Sequence, residues 1–427
     1  MKSSTSLLDL PNELILIISS QLSVDILHLA TTCQHLNSLL LPDIFRRFGL
    51  GLPSDSFSSI RFTAENLDVL PVLTIGSSVH SITELDVRLY ARMARPKFSP
   101  EENLTFLAAL SALVLRLPSL GRFTFGPYPM EKTIEALPGL PHALATVLNS
   151  AATRGDCIIT VFGRSLDPPP FVHSVPTIHS NPAPLSTTFL QRAFTWFLRF
   201  SPTFMKPSTG VIESTQLPSA VNLPFLSHSA LRVLNIRCSF LFHATFYKWT
   251  LHMLNTSPLT TLSLHHIDLS HYDWALVLPA LTLSLLTNFS IGHECAISVP
   301  DLALFLTRHP SIQTLDLSYH LAIGALAHPP ADHLLPHLTT LRAAPDYMLY
   351  FLLRPQTKGG IAPCPELREV TVTWTYSSEC VPTYQVGLFA SVVSCIEARR
   401  GGVVPRLRVE GNLAAHCQVP KHLQIES

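Results

Sequence analysis

Leu259-Thr260-Thr261-Leu262-Ser263-Leu264 places leucine at the first, fourth and sixth of six positions and small polar residues between them. The same Leu-x-x-Leu-x-Leu spacing returns at Leu231/Leu234/Ile236, Leu286/Phe289/Ile291, Ile312/Leu315/Leu317, Leu338/Leu341/Ala343 and Leu367/Val370/Val372. The central residues of the six copies are 28, 27, 26, 26 and 29 apart. Alternating apolar and polar residues at the fourth to sixth positions predict a short strand buried on one face. A helix fits in the residues between copies, so the unit is strand then helix, stacked many times.

A repeat of this length and signature is that of leucine-rich repeats, and the expected fold class is α/β: a solenoid with parallel strands on its concave face and helices outside. A helix is about 10 Å wide and strands stack ~4.8 Å apart, so helices on one side bend such an array. Helices are expected at 101–117, 244–254, 272–278, 300–307, 347–353 and 384–399. Further strands are expected at Ile82/Leu85/Val87, Leu120/Phe123/Phe125, Ile158 to Phe162 and Val404/Leu407/Val409. The repeat region spans 81–413, with a tail over 414–427. Pro168-Pro169-Pro170, Pro176, Pro182 and Pro184 exclude regular helix or central strand over 166–184 and mark an inserted loop, with a helix near Thr188 to Arg199 after it. Residues 49–80, rich in serine with Gly49, Gly51, Pro53 and Pro71, read as a linker.

Residues 8–48 have a different period. Leu14, Ile17, Ile18 and Leu22 fall on one helical stripe entered through Pro11, with Glu13 near the positive helix end. A second helix carries Ile26, Leu29, Ala30 and Cys33, capped by Ser23, and a third carries Leu36, Leu39 and Leu40 until Pro42 interrupts it. Three short helices make a very small core, and their apolar stripes call for a partner surface.

Leu10-Pro11-x-Glu13-Leu14, followed by Ile17, Leu22, Asp25-Ile26, Leu29, Cys33 and Leu36, resembles an F-box, a motif covering about a tenth of the chain. With the repeats, and with Ser257-Pro258-Leu259-Thr260 and Pro300-Asp301-Leu302, the chain looks most like F-box proteins of mushroom-forming fungi. It departs from many F-boxes in having Cys33-Gln34-His35-Leu36 where they carry Cys-Arg-x-Trp. The resemblance implies docking to the Skp adaptor, and through it to a cullin ligase, by Leu10, Pro11, Leu14, Ile17, Leu22, Ile26 and Leu29. It further implies a substrate-recognition subunit of an SCF-type ubiquitin ligase, in cytoplasm or nucleus. A repeat scaffold acting outside any ligase, its first helices serving as a cap, is the alternative.

Strand side chains alternate, so the residues between the leucines share one surface. That surface is expected to bind a target protein through Asn235, Arg237, Ser263, His265, Asp316, Arg342, Glu369 and Thr371, joined by Asp86, Arg88 and Arg122.

Composition bounds the partners. Lys plus Arg equals Asp plus Glu at 29 each, and charged residues are 14% of the chain, against roughly 25% in an average globular protein. Arg46-Arg47 and Arg399-Arg400 lie far apart and border no basic stripe, so nucleic acid is not an expected partner. The apolar run from Leu104 to Leu115 is too short to span a bilayer, and the first residues lack the features of a signal peptide, so no membrane is expected. Eight cysteines without a C-x-x-C pair suit reduced core thiols.

The chain is expected not to be an enzyme and to carry neither cofactor nor metal. It has no G-x-S-x-G elbow, Walker loop or G-x-G-x-x-G turn. The densest histidine group, His265-His266 with His271, puts two adjacent strand residues on opposite faces, and His333-x-x-x-His337 is interrupted by Pro336. An enzyme would instead need a deep pocket lined by convergent ionisable groups.

Overall fold

A computed structural model describes residues 6–22, 25–50, 57–63, 66–75, 82–88, 100–126, 139–163, 223–225, 228–292, 295–317, 334–352, 364–373, 383–397 and 405–409. The insertion at 166–184, the helix expected near Thr188 to Arg199, and the tail over 414–427 lie outside these residues. So does Ser23.

Among the described residues eleven strands form one parallel sheet in chain order: β1 (Phe57–Thr63), β2 (Ile82–Arg88), β3 (Leu120–Gly126), β4 (Ile158–Phe162), β5 (Val233–Arg237), β6 (Thr261–Leu264), β7 (Asn288–Ile291), β8 (Thr314–Leu317), β9 (Thr340–Ala343), β10 (Glu369–Val372) and β11 (Arg406–Val409). A strictly sequential parallel order is what stacked strand–helix repeats produce, because each strand pairs with the next copy of itself. The chain is an α/β solenoid of the leucine-rich-repeat kind.

The register is set by a recurring hydrogen-bond device at the strand starts. The carbonyl of Arg232 accepts the N–H groups of both Thr260 and Thr261, at 2.9 and 3.0 Å. Thr260 then accepts from Thr287 and Asn288, Thr287 from Gln313 and Thr314, Gln313 from Thr339 and Thr340, and Thr339 from Arg368 and Glu369. The hydroxyls of Thr260, Thr287 and Thr339 add a third donor to the carbonyl they follow. A carbonyl has two lone pairs, and here one oxygen locks two successive amides of the next repeat.

This register buries the leucines. Leu234, Leu262, Phe289, Leu315, Leu341 and Val370 lie within 1% of full burial, each paired in register with the next. Against that face pack the helices α4 (Leu70–Ile75), α5 (Pro100–Arg116), α6 (Leu140–Ala152), α7 (Ala244–Thr256), α8 (His271–Ala280), α9 (Val299–Arg308), α10 (Pro345–Leu352) and α11 (Thr383–Glu397). Ser270 and Ser298 cap α8 and α9, each accepting from the third N–H of its helix. Among the described residues no helix is long and apolar enough to cross a membrane.

Residues 49–80 are not the linker expected. They carry β1, which pairs with β2 from Phe57↔Ile82 to Thr63↔Arg88, and α4, whose Leu70, Val72 and Leu73 are fully buried. Phe57, Ile60 and Phe62 keep the spacing of the other copies, but without a leucine and amid serines, glycines and prolines that read as loop.

The first three helices are α1 (Asn12–Gln21), α2 (Asp25–Thr32) and α3 (Gln34–Arg47). Pro42 does not stop α3: it lies on an exposed side of the helix, and so does Ser38, whose carbonyl the missing N–H leaves to solvent. Pro11 stands just before α1 rather than within its first turn, its carbonyl accepting from Leu14 and Ile15. Asn37, fully buried on α3, donates to Ala30 O on α2 and to Val72 O on α4 at 2.8 Å, so this unit is packed onto the first repeat.

Arginines close the helix ends. Arg47 donates to Ser19 O and Leu22 O at the end of α1, Arg116 to Leu73 O and Thr74 O in the last turn of α4, and Arg154 to Val114 O and Leu115 O of α5. Arg308 reaches Leu278 O, Pro279 O and Leu281 O at the end of α8. Each guanidinium satisfies carbonyls that a helix end leaves without partners, and its charge opposes the negative end of the dipole. Next to Arg308, buried His309 accepts from Leu283 N–H at Nε2 and meets Phe305 O at Nδ1, 2.7 Å away. Those partners fix the neutral tautomer with its proton on Nδ1. Burial lowers the imidazole pKa below its ordinary 6.5, and the Arg308 charge lowers it further against the opposing Phe305 carbonyl.

Two predictions follow from this packing. Leu262→Ala should cost about 2–5 kcal/mol in chemical denaturation, as for a fully enclosed leucine. His309 resists a proton that the unfolded chain accepts, so stability should fall as pH drops through 6.5 toward the lower folded value. Denaturation series at pH 7.5 and 5.5 should show a steeper loss for the wild type than for His309→Gln, in which an amide oxygen can still accept from Leu283.

Candidate interaction surfaces

The central turn of α1, Leu14 to Ile18, is apolar all round, between polar ends formed by Asn12 and Glu13 and by Ser19, Ser20 and Gln21. Ile15 and Ser19, one turn apart, face the neighbouring helices and are fully buried. Leu14, Leu16 and Ile18 are 45%, 39% and 42% exposed, and Ile17, on the side opposite Ile15 and Ser19, is 60% exposed. Leu8 in the preceding turn is exposed as well. A helix apolar on every side belongs in an interior. Here one side is covered by its own chain and the rest is not, leaving a contiguous apolar face of the kind that marks an interaction site.

The expected adaptor residues divide along this line. Pro11, Leu14 and Ile17 lie on the uncovered surface, and Leu10, Leu22 and Leu29 are half-buried. Ile26 is fully buried between the helices, so its place is in the small core and not on a docking face. Leu16 and Ile18 complete the exposed face; Ile18 belongs to the helical stripe of Leu14, Ile17 and Leu22, and Leu16 falls outside it.

The second surface is the sheet face turned away from the helices. Its central row reads, strand by strand, Arg61, Asp86, Thr124, Thr160, Asn235, Ser263, Ser290, Asp316, Arg342, Thr371 and Arg408. The expected target residues therefore do share one face. Asn235 donates to the Thr160 hydroxyl at 3.2 Å, Asp316 pairs with Arg342 at 3.6 Å, and His265 lies 3.4 Å from the Ser290 hydroxyl. Arg237 and Glu369 are exposed. Thr371 differs from expectation: at 5% exposure it is covered.

The strands β1 to β3 carry a cluster of ion pairs on this face. Asp86, with its side chain 12% exposed, accepts from Arg61 Nε at 2.9 Å and from Arg88 Nε at 2.9 and 3.0 Å, while Arg122 pairs with Glu84 at 3.2 Å. One row over, the Phe162 ring lies across Gly126, where an added Cβ would fall 2.4 Å from the ring. Arg88 stacks on this ring at 5.4 Å from its centroid, and Arg237 pairs with Phe162 in register on the other side. Sequence reading placed Asp86, Arg88 and Arg122 on this face and missed Arg61 and Phe162. Arg61 was hidden in the supposed linker, and Phe162 needs the missing side chain at Gly126, a long-range fact.

His265 lies over Gly292, and His266 adopts a left-handed backbone with φ of 50°. Among the described residues no three His, Cys, Asp or Glu side chains gather as a metal site. Buried Cys157 has its thiol pushed up to about 12 by desolvation, which removes thiolate character at neutral pH.

No protein-family model and no curated protein matches the chain. Among solved structures it is similar to one described as a complex of Rad7 and Elc1 in yeast, over 99% of this chain and 98% of that one, at 11% identity and a TM-score of 0.31. At that score the likeness carries no argument, and the functional reading stands on the residues.

The buried carboxylate of Asp86 and the exposed Arg237 should separate cleanly in stability. Asp86→Ala, which leaves the solvent-exposed Arg61 and Arg88 side by side without their anion, should cost about 0.5–2 kcal/mol. Arg237→Glu should stay within about 0.5 kcal/mol of the wild type in the same denaturation assay.

Proposed function

We propose that this chain is a non-catalytic substrate-recognition subunit of an SCF-type ubiquitin ligase. Residues 8–48 dock the Skp adaptor, and through it a cullin, while the open sheet face holds a target protein. The observation that carries the reading is the uncovered apolar face of α1, formed by Leu14, Leu16, Ile17 and Ile18 within the segment that resembles an F-box. The mechanism is proximity: tethering raises the effective concentration of target lysines at the ubiquitin-charged enzyme of the assembled ligase. No chemistry is asked of this chain, and its place of action is the cytoplasm or nucleus.

A scaffold acting outside any ligase is the second reading, and one contact favours it. Asn37 joins the first helices to Val72 of the first repeat, as a solenoid cap would. A cap explains the buried sides of α2 and α3 but leaves the outer side of α1 without a purpose.

The two readings part on the adaptor. Deleting residues 1–48 would uncover α4 and confound the result, so the test uses Leu14→Asp with Ile17→Asp on the solvent side. Removing two apolar anchors worth ~1.5–3 kcal/mol each predicts a loss of roughly 10²–10⁴ in affinity for the purified Skp adaptor, with an unchanged melting curve. Wild-type chain that fails to bind the adaptor in calorimetry sinks the ligase reading and leaves the scaffold.

A further inference from the structure

We infer that the outer side of α8 and α9 is a further docking surface, taking one amphipathic helix of a partner protein whose last turn is basic. It is separate from the adaptor and target surfaces, which lie on α1 and on the sheet. Tyr272 and Leu276, one turn apart on α8, are 64% and 43% exposed, and Leu304 on α9 is 65% exposed. Leu285, in the connection from α8 to β7, is 54% exposed. Tyr272 keeps its exposure although its ring rests against His271, with centroids 3.9 Å apart. The two helices are neighbours, since Arg308 at the end of α9 donates to Leu278 O, Pro279 O and Leu281 O at the end of α8.

A stack of repeats offers the same outward helix positions again and again, so a departure at those positions is informative. On α7 the exposed residues are Ala244, Lys248 and Thr256, and on the described part of α11 they are Gly387, Ala390, Ser391 and Ser394. All are small or polar. Helix α5 exposes one large apolar residue, Leu115 in its last turn, which as a single leucine calls for no explanation. On α8 and α9 large apolar residues gather on adjacent helices, and that makes a patch.

Size decides the occupant. The four bare side chains present on the order of 400 Å², whereas a stable interface between two copies covers ~800 Å² on each. Half of that requirement suits a single helix, whose apolar stripe at i, i+4 and i+7 is as long as α8 or α9. Charge sets its polarity. The carboxylates of Asp273 and Asp301, which open α8 and α9, accept from the cap hydroxyls of Ser270 and Ser298. Asp268, exposed two residues before the cap of α8, has no partner among the described residues. At the opposite end the guanidinium of Arg308 is occupied by carbonyls, so the open charge bordering the patch on its own repeats is negative. Lysines belong in the last turn of a partner helix, where its dipole is negative, and there they can face Asp268.

The experiment is fluorescence anisotropy on the full chain with fluorescein-labelled helical peptides of about 18 residues. The first has leucines at i, i+4, i+7 and i+11 and lysines in its last turn; the second has the leucines dispersed around the helix; the third has glutamates in place of the lysines. The first should bind at least tenfold more tightly than the second and more tightly than the third. Leu276→Gln with Leu304→Gln, neutral and compatible with a helix, should weaken it at least tenfold and leave the melting curve unchanged. Asp268→Lys should abolish the preference for lysine over glutamate, a change that a merely structural role would not give. Because α1 is apolar too, the Leu14→Asp, Ile17→Asp chain is titrated alongside and should bind the first peptide as the wild type does, so failure of adaptor docking and failure of this site are read separately. No binding up to millimolar peptide, equal binding of the dispersed peptide, loss of binding in the α1 variant, or indifference to the α8 and α9 substitutions each overturns the inference. So does a dimer in sedimentation, or binding to phosphatidylcholine vesicles, that Leu276→Gln with Leu304→Gln removes, since either puts a different occupant on the patch.

Discussion

The carbonyl that precedes each strand and takes two amides of the next repeat is the constraint on which the rest depends. Slip that register by one residue, and Leu262, Phe289 and Leu315 would turn outward while Ser263, Ser290 and Asp316 entered the core. Because Arg232, Thr260, Thr287, Gln313 and Thr339 repeat the same bond, the polar rows stay aligned over successive strands. A surface built from single residues contributed by many repeats exists only through this alignment.

The helix layer needs a second device. Short helices end most of the described repeats, and their carbonyl ends would lie half-buried without partners. Arg116, Arg154 and Arg308 each reach back to the preceding helix, so neighbouring repeats are joined on the helix side by charge-assisted hydrogen bonds as well as on the sheet side by the ladder. This use absorbs arginines that a sequence count assigns to the surface, which is one reason a low charged fraction is compatible with so many ordered ends.

How much was legible depended on whether the signal was local. The strands from β5 to β10 and the helices between them follow from a six-residue pattern and its spacing, because buried leucines repeat wherever the ladder repeats. Where the flanking composition points to loop, the pattern is passed over: Phe57, Ile60 and Phe62 keep the spacing in β1, yet serine, glycine and proline around them make the stretch read as a linker. The side of α1 that faces outward was also beyond a periodicity argument. Leu14, Ile17 and Ile18 form the better stripe, yet Ile15 and Ser19 are inside, since a small serine lets the helix approach its neighbours closely. Burial of Thr371 and exposure of Leu16 belong to the same class of fact, set by neighbours distant in sequence.

Replacing the linker by a packed repeat changes what a proximity mechanism would require. A flexible connection between adaptor and target surfaces would let a captured protein sample many positions, with an effective concentration falling as the connection lengthens. Here Asn37 ties α2 and α3 to Val72, and β1 continues directly into β2. On the proposed reading, the uncovered side of α1 and the arginine-lined part of the sheet belong to one continuous packing unit. Target lysines would then be presented from a fixed geometry, and selection among them would come from where the target binds along the sheet rather than from the length of a tether.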